Sequence, residues 1–151
     1  MIDIRRSELL SWCRVPADQL EAHPDRRVPL RLCPNSATLG RWMAETFVDE
    51  IREHNQRGEP TVAIVPCGPS CWYEPFADLV NREHVSLRDL VVFHMDECLD
   101  WQGRLLPAGH PFNFRATMEA CFYAPIDPDL AVPLEQRHFL TADNVADVRD
   151  A

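Results

Sequence analysis

A chain of 151 residues with 46% hydrophobic content can build one ordinary domain around a real core, which excludes a disordered segment. Its 24 acids face 15 bases, every one an arginine, and a net charge of -9 without a basic face excludes nucleic acid as a partner. No apolar run approaches the ~20 residues of a membrane span, and MIDIRRSELLSWC interrupts the apolar core of a signal peptide, so the expected setting is cytoplasmic, with no membrane partner.

Residues 1 to 29 read as an N-terminal extension: Ser7 caps a short helix through Trp12, Val15-Pro16 ends it, and AHPDRRVP is a turn-rich link. Residues 30 to 151 read as the second region. Arg31-Leu32-Cys33 is expected as a short strand, after which Asn35 or Ser36 caps a helix with Leu39, Met43, Phe47 and Ile51 on one face, closed by Gly58. Thr61-Val62-Ala63-Ile64-Val65, bounded by Pro60 and Pro66, has the pattern of a strand buried on both faces of a parallel sheet.

A loop, CGPSC, leads to a helix from Trp72 to Asn81 with Trp72, Phe76, Leu79 and Val80 toward the sheet, and then to the strand LVVFHM. A polar loop with Gly103, Pro107 and Gly109 precedes a helix near Asn113 to Phe122, whose apolar face is Phe114, Met118, Cys121 and Phe122. A proline-rich connection reaches a strand at Arg137 to Leu140, and Asp143 or Asn144 caps a helix barely begun at Ala151, the pattern of a truncated chain. Six cysteines without regular spacing are expected as mostly buried small hydrophobes and not as a disulfide framework. Strands alternating with helices predict an α/β fold built on a parallel sheet.

Ligands of open parallel sheets bind beyond the carboxyl ends of the strands. Here Cys67-Gly68-Pro69-Ser70 and His94-Met95-Asp96-Glu97 end the two buried strands and face one crevice. A glycine turn feeding a helix offers backbone N–H groups and a positive helix end to a phosphate, and the Ser70 hydroxyl adds a donor; Gly68 and Pro69 equally suit a plain tight turn. The loop lacks the lysine of a P-loop and the further glycines of a dinucleotide fingerprint, so no nucleotide cofactor is expected. Asp96 and Glu97 read either as a solvated strand end or as a carboxylate base aimed into the crevice, and strand alternation lets only one of them point at ligand. Cys67, Cys71, His94, Asp96 and Cys98 could supply metal ligands, but no second matching cysteine pair exists and no metal is assigned.

VPCGPS (Val65 to Ser70), VVFHMDE (Val91 to Glu97) and HPFNF (His110 to Phe114) together resemble the glucosamine-6-phosphate deaminase/isomerase and 6-phosphogluconolactonase superfamily, over its N-terminal half. The resemblance implies a Rossmann-like α/β fold, a parallel sheet flanked by helices, with a glycine loop that holds a sugar phosphate. Asp96 then becomes the base that moves a proton between C1 and C2 of a phosphorylated amino sugar, Gly68 and Ser70 lie at the phosphate, and Glu97 and His110 stand as supporting positions behind them. It implies no cofactor, and a homo-oligomer is among the expected assemblies.

Three departures mark this chain: Pro69 removes one backbone donor from the loop, Phe112-Asn113-Phe114 replaces the usual Ser-Tyr after His-Pro, and the family's second catalytic cluster is expected beyond the point where these 151 residues stop. The expected function is proton transfer with loss of ammonia in carbohydrate metabolism. The alternatives are a non-catalytic sugar-phosphate-binding module and a 6-phosphogluconolactonase-like hydrolase.

Overall fold

The computed structural model describes residues 5–140, and the expected helix after Asp143 lies outside them. The chain divides into two compact units, Met1–Pro34 and Asn35–Ala151. In the first, α1 (Arg6–Trp12) and a 3₁₀ turn (Ala17–Gln19) bury no residue. Arg31 to Cys33 form no ladder, contrary to the expected strand; the Leu32 N–H instead donates to the Glu21 carboxylate, a side-chain bond that takes the place of strand pairing.

The second unit begins with α2 (Ser36–Arg57), whose Asn35 cap accepts the Thr38 N–H at 2.8 Å and whose Gly58 ends the helix at φ 68°. Strand β1 (Thr61–Val65) runs into the loop, a 3₁₀ turn (Ser70–Trp72) and α3 (Tyr73–Glu83). Next come β2 (Leu90–His94), the short α4 (Phe114–Met118), a π turn (Glu119–Tyr123), and β3 (Arg137–His138), two residues long where four were expected. The sheet has the order β1-β2-β3, all parallel, with Ile64 opposite Phe93 and Val65 opposite His94. Both crossovers return through helical segments, as parallel pairing requires.

The core lies on one side of this sheet. Val65, Leu90, Val92, Phe76, Val80 and Phe122 are buried, and the Phe76 ring stacks on Phe122 at 5.1 Å and on Phe47 of α2 at 5.5 Å. Among the described residues the other face is left uncovered: Val62 is 63% and Ile64 67% exposed, and the half-exposed Phe93 stacks on the ring of His138 at 4.5 Å. The expectation of a strand buried on both faces fails here because all the packed helical elements lie against the Thr61–Val65–Val92 side. Two smaller expectations also fail. Cys121 is exposed because the π turn rotates it off the Met118–Phe122 face, and none of the six cysteines is fully buried.

Candidate functional site

The carboxyl ends of β1 and β2 are held level by the ladder, and the Met95 N–H extends it by donating to the Val65 carbonyl at 3.1 Å. Beyond that point the two segments separate, and the Cys67 N–H bridges them by donating to Asp96 Oδ1 at 3.2 Å. Asp96 is otherwise exposed at the strand end. The loop it touches turns through Gly68, at φ 125° where a side chain is disfavoured, and a cis Gly68–Pro69 bond. The Gly68 N–H closes back onto the Pro66 carbonyl at 3.0 Å. The N–H groups of Cys67 and Gly68 are therefore engaged within the protein, and Pro69 has none. Ser70 stands exposed at the start of the turn that leads into α3.

Beneath the loop, burial pushes the Tyr73 phenol up to about 12, with the neighbouring Cys67 thiol adding to the effect. Burial also raises the Cys67 thiol, assisted by the negative charge of Asp96 and Glu97. Both effects disfavour the Cys67 thiolate.

Glu97 takes a different role from its neighbour. Its Oε1 accepts the Phe114 N–H at 2.8 Å and the Cys98 N–H at 3.0 Å, and its Oε2 accepts the Arg115 N–H at 2.9 Å. Asn113, 8% exposed, caps the same helix by accepting the Ala116 N–H at 2.7 Å, and its amide donates to the Leu106 carbonyl at 2.6 Å. Asn113 leaves the Phe114 and Arg115 amides free, and the carboxylate from β2 satisfies both. Sequence reading missed this contact, although a helix start whose cap reaches only one amide is a signal that a second acceptor is required. His110 lies on the exposed approach to α4, where its Nδ1 accepts the Phe112 N–H at 3.1 Å and its carbonyl accepts the Asn113 N–H at 2.9 Å. The structure therefore brings Asp96 to the Gly68 loop, gives Glu97 to α4, and leaves His110 shaping the turn before that helix.

His94, the last residue of β2, points into the core, where its ring stacks on Phe139 at 3.9 Å and its Nε2 lies 3.0 Å from the Tyr123 hydroxyl. Burial lowers it to about 4, so it is neutral near pH 7. Tyr123 in turn carries the Arg137 guanidinium over its ring at 4.1 Å, and Arg137 pairs with Glu119 at 2.9 Å. A cleft of about 650 Å³ lined by Arg88, Glu119, Tyr123 and Arg137 adjoins this group; Arg137 pairs level with Val92 in the middle of β2 and Arg88 precedes that strand, and neither Asp96 nor the Gly68 loop lines the cleft. Among the described residues no three His, Cys, Asp or Glu side chains are grouped to hold a metal ion, and no helix is long and apolar enough to cross a membrane.

Comparison with known proteins finds partial relatives of this chain. A glucosamine-6-phosphate deaminase of Aliivibrio fischeri (strain MJ11) is 32% identical over 103 residues, covering 65% of this chain and 37% of the relative. One from Yersinia pseudotuberculosis is 29% identical over 126 residues, covering 82% and 42%. The chain resembles the glucosamine-6-phosphate deaminase superfamily over part of its length. A solved monomeric glucosamine-6-phosphate deaminase shares the fold at a TM-score of 0.60 with 20% identity, covering 78% of this chain and 46% of that one. No family model matches the chain. The chain spans less than half the length of these deaminases.

Proposed function

We propose that this chain supplies the sugar-phosphate loop and the proton-transfer carboxylate of an enzyme acting on a phosphorylated amino sugar, glucosamine 6-phosphate or a close analogue. The observation that carries the reading is the bond from the Cys67 N–H to Asp96, which joins the VPCGPS loop to the Met-Asp-Glu segment at the ligand-binding end of a parallel sheet. In this reading Asp96 takes the proton from C2 of the opened sugar and returns it at C1. Water then adds at C2 and ammonia departs, which leaves a ketose phosphate. Ser70 and the first amides of the turn into α3 receive the phosphate, the positive end of the helix adding to their attraction.

A second reading, a binding module without turnover, is favoured by the loop itself: two of its amides are engaged and Pro69 offers none. The test is turnover and KM with glucosamine 6-phosphate. Asp96→Asn keeps the shape but accepts no proton, so it should lower turnover by about 10²–10⁴-fold with binding largely kept. Ser70→Ala should raise KM and spare the chemical step, because a phosphate contact persists from ground state to transition state. Near-normal turnover in Asp96→Asn would remove the proton-transfer role, and binding without turnover in the unaltered chain would select the module.

A further inference from the structure

The segment between Glu97 and Asn113 leaves the carboxyl end of β2 and is ordered almost entirely by polar bonds. Asp100 organises its tip: Oδ1 accepts the Gln102 and Arg104 N–H groups, each at 2.9 Å, and Oδ2 pairs with the Arg104 guanidinium at 2.8 Å. The Asp100 N–H donates to the Arg104 carbonyl and the Gly103 N–H to the Asp100 carbonyl, both at 2.9 Å, and Gly103 takes the φ of 76° that such a turn needs. Leu99 and Leu105 close the hairpin with an antiparallel bridge. None of these bonds involves the side chain at the centre of the tip, Trp101, which is 89% exposed.

A tryptophan held in solvent on a tied turn is unusual, since tryptophan is on average a well-buried residue. The turn pays the ordering cost before any ligand arrives, and this is the arrangement in which an aromatic side chain contributes most to binding. Trp101 lies five residues beyond Asp96 in sequence, on the loop that leaves the carboxyl end of β2, and it is at that end of its strands that a parallel sheet takes its ligand. Its indole face offers an apolar surface for a sugar ring and, more selectively, a negative π face that attracts a cation, tryptophan being the strongest aromatic partner for one. An amino-sugar phosphate differs from a neutral sugar phosphate in one group, a protonated amine, and that group is what such a face distinguishes.

We propose that Trp101 is a specificity-determining residue that selects the ammonium-bearing sugar phosphate over its neutral hydroxyl counterpart by cation–π contact. The inference rests on the sugar-phosphate reading above and adds to it the choice of substrate. The test is the ratio of Kd values for glucosamine 6-phosphate and glucose 6-phosphate, measured by calorimetry in an Asp96→Asn background so that no turnover intrudes. With Trp101 the amino sugar should bind about 3- to 30-fold more tightly, the range of a cation–π contact between exposed and desolvated settings. Trp101→Ala and Trp101→Leu should bring the ratio close to one, and Trp101→Phe should restore part of it. An unchanged ratio in Trp101→Ala, or equal binding of the two sugars with Trp101 present, overturns the inference while sugar-phosphate binding stands. Absence of binding by either sugar removes the sugar-phosphate reading and the inference with it. Concentration-dependent self-association abolished by Trp101→Ala, together with an unchanged ratio, would assign the indole to a contact between copies instead.

Discussion

Glu97 accepts three backbone N–H bonds from two segments, whereas glutamine would offer a single carbonyl oxygen and turn an NH₂ group toward one of the donors. Glu97→Gln should therefore lower the free energy of unfolding by about 1–2 kcal/mol, the cost of a lost helix cap with charged hydrogen bonds, measured by urea denaturation. A change within a few tenths of a kcal/mol would show that α4 holds its entry without the carboxylate. His94 gives a pH dependence with a defined sign. Its ordinary value of 6.5 falls to about 4 in the folded chain, so between those limits the unfolded chain binds a proton that the native chain refuses. Stability from this residue is intact above pH 6.5 and should be lost progressively as pH falls toward 4. Thermal unfolding followed across that window should show a slope that His94→Gln flattens, and identical profiles would mean that other groups set the acid limit.

Among the elements, α2 carries a glycine where helix propensity alone would favour alanine. Gly40 is buried against the 3₁₀ turn that follows the candidate loop, and a Cβ there would fall inside contact distance of the Cys71 carbonyl. The usual gain of up to about 1 kcal/mol for Gly→Ala within a helix should reverse to a loss of about 1–3 kcal/mol from overpacking, read as a lower urea midpoint. Because the clash is with the turn at Ser70 to Trp72, sugar-phosphate binding should weaken along with stability; a stabilised Gly40→Ala variant would show that the turn moves freely. The main elements of this unit were legible in the sequence, since Asn35 and Gly58 bracket α2 and the prolines at 60 and 66 bracket β1. The pairing of Asp96 with the Gly68 loop was legible as well, because parallel strands of matched length bring their ends together. Other features depended on tertiary contacts that periodicity does not encode. The π turn that exposes Cys121 is one, and the reach of Glu97 across 17 residues to Phe114 is another. Arg31 to Cys33 had the composition of a strand but no strand to pair with, and propensity yields to that absence.

For the whole molecule, the dominant feature is the sheet face that the described residues leave uncovered. Val62, Ile64 and Phe93 line it without a carboxylate among them, in a chain that carries 24 acids. Parallel sheets are ordinarily covered on both faces, so chain 1–151 in solution should self-associate through this one. Light scattering coupled to size exclusion should show a mass that grows with concentration, and Ile64→Glu with Phe93→Glu, opposite each other in the register, should return it to the monomer. A monomer at all concentrations with no binding of a hydrophobic dye would refute this. The position of β1 has a separate consequence. Among the described residues β1 pairs on one side only, in the order β1-β2-β3, so its other side presents peptide groups to any extended segment that approaches. Thr61 to Val65 is uncharged and β-branched at every position but Ala63, the composition from which stacked cross-β assemblies nucleate. Pro60 and Pro66 stand at its two ends, and neither can donate to a ladder. A template limited in this way to five residues is shorter than the six or seven of a self-sustaining zipper, so the two prolines act as gatekeepers against fibrils as well as marking the strand.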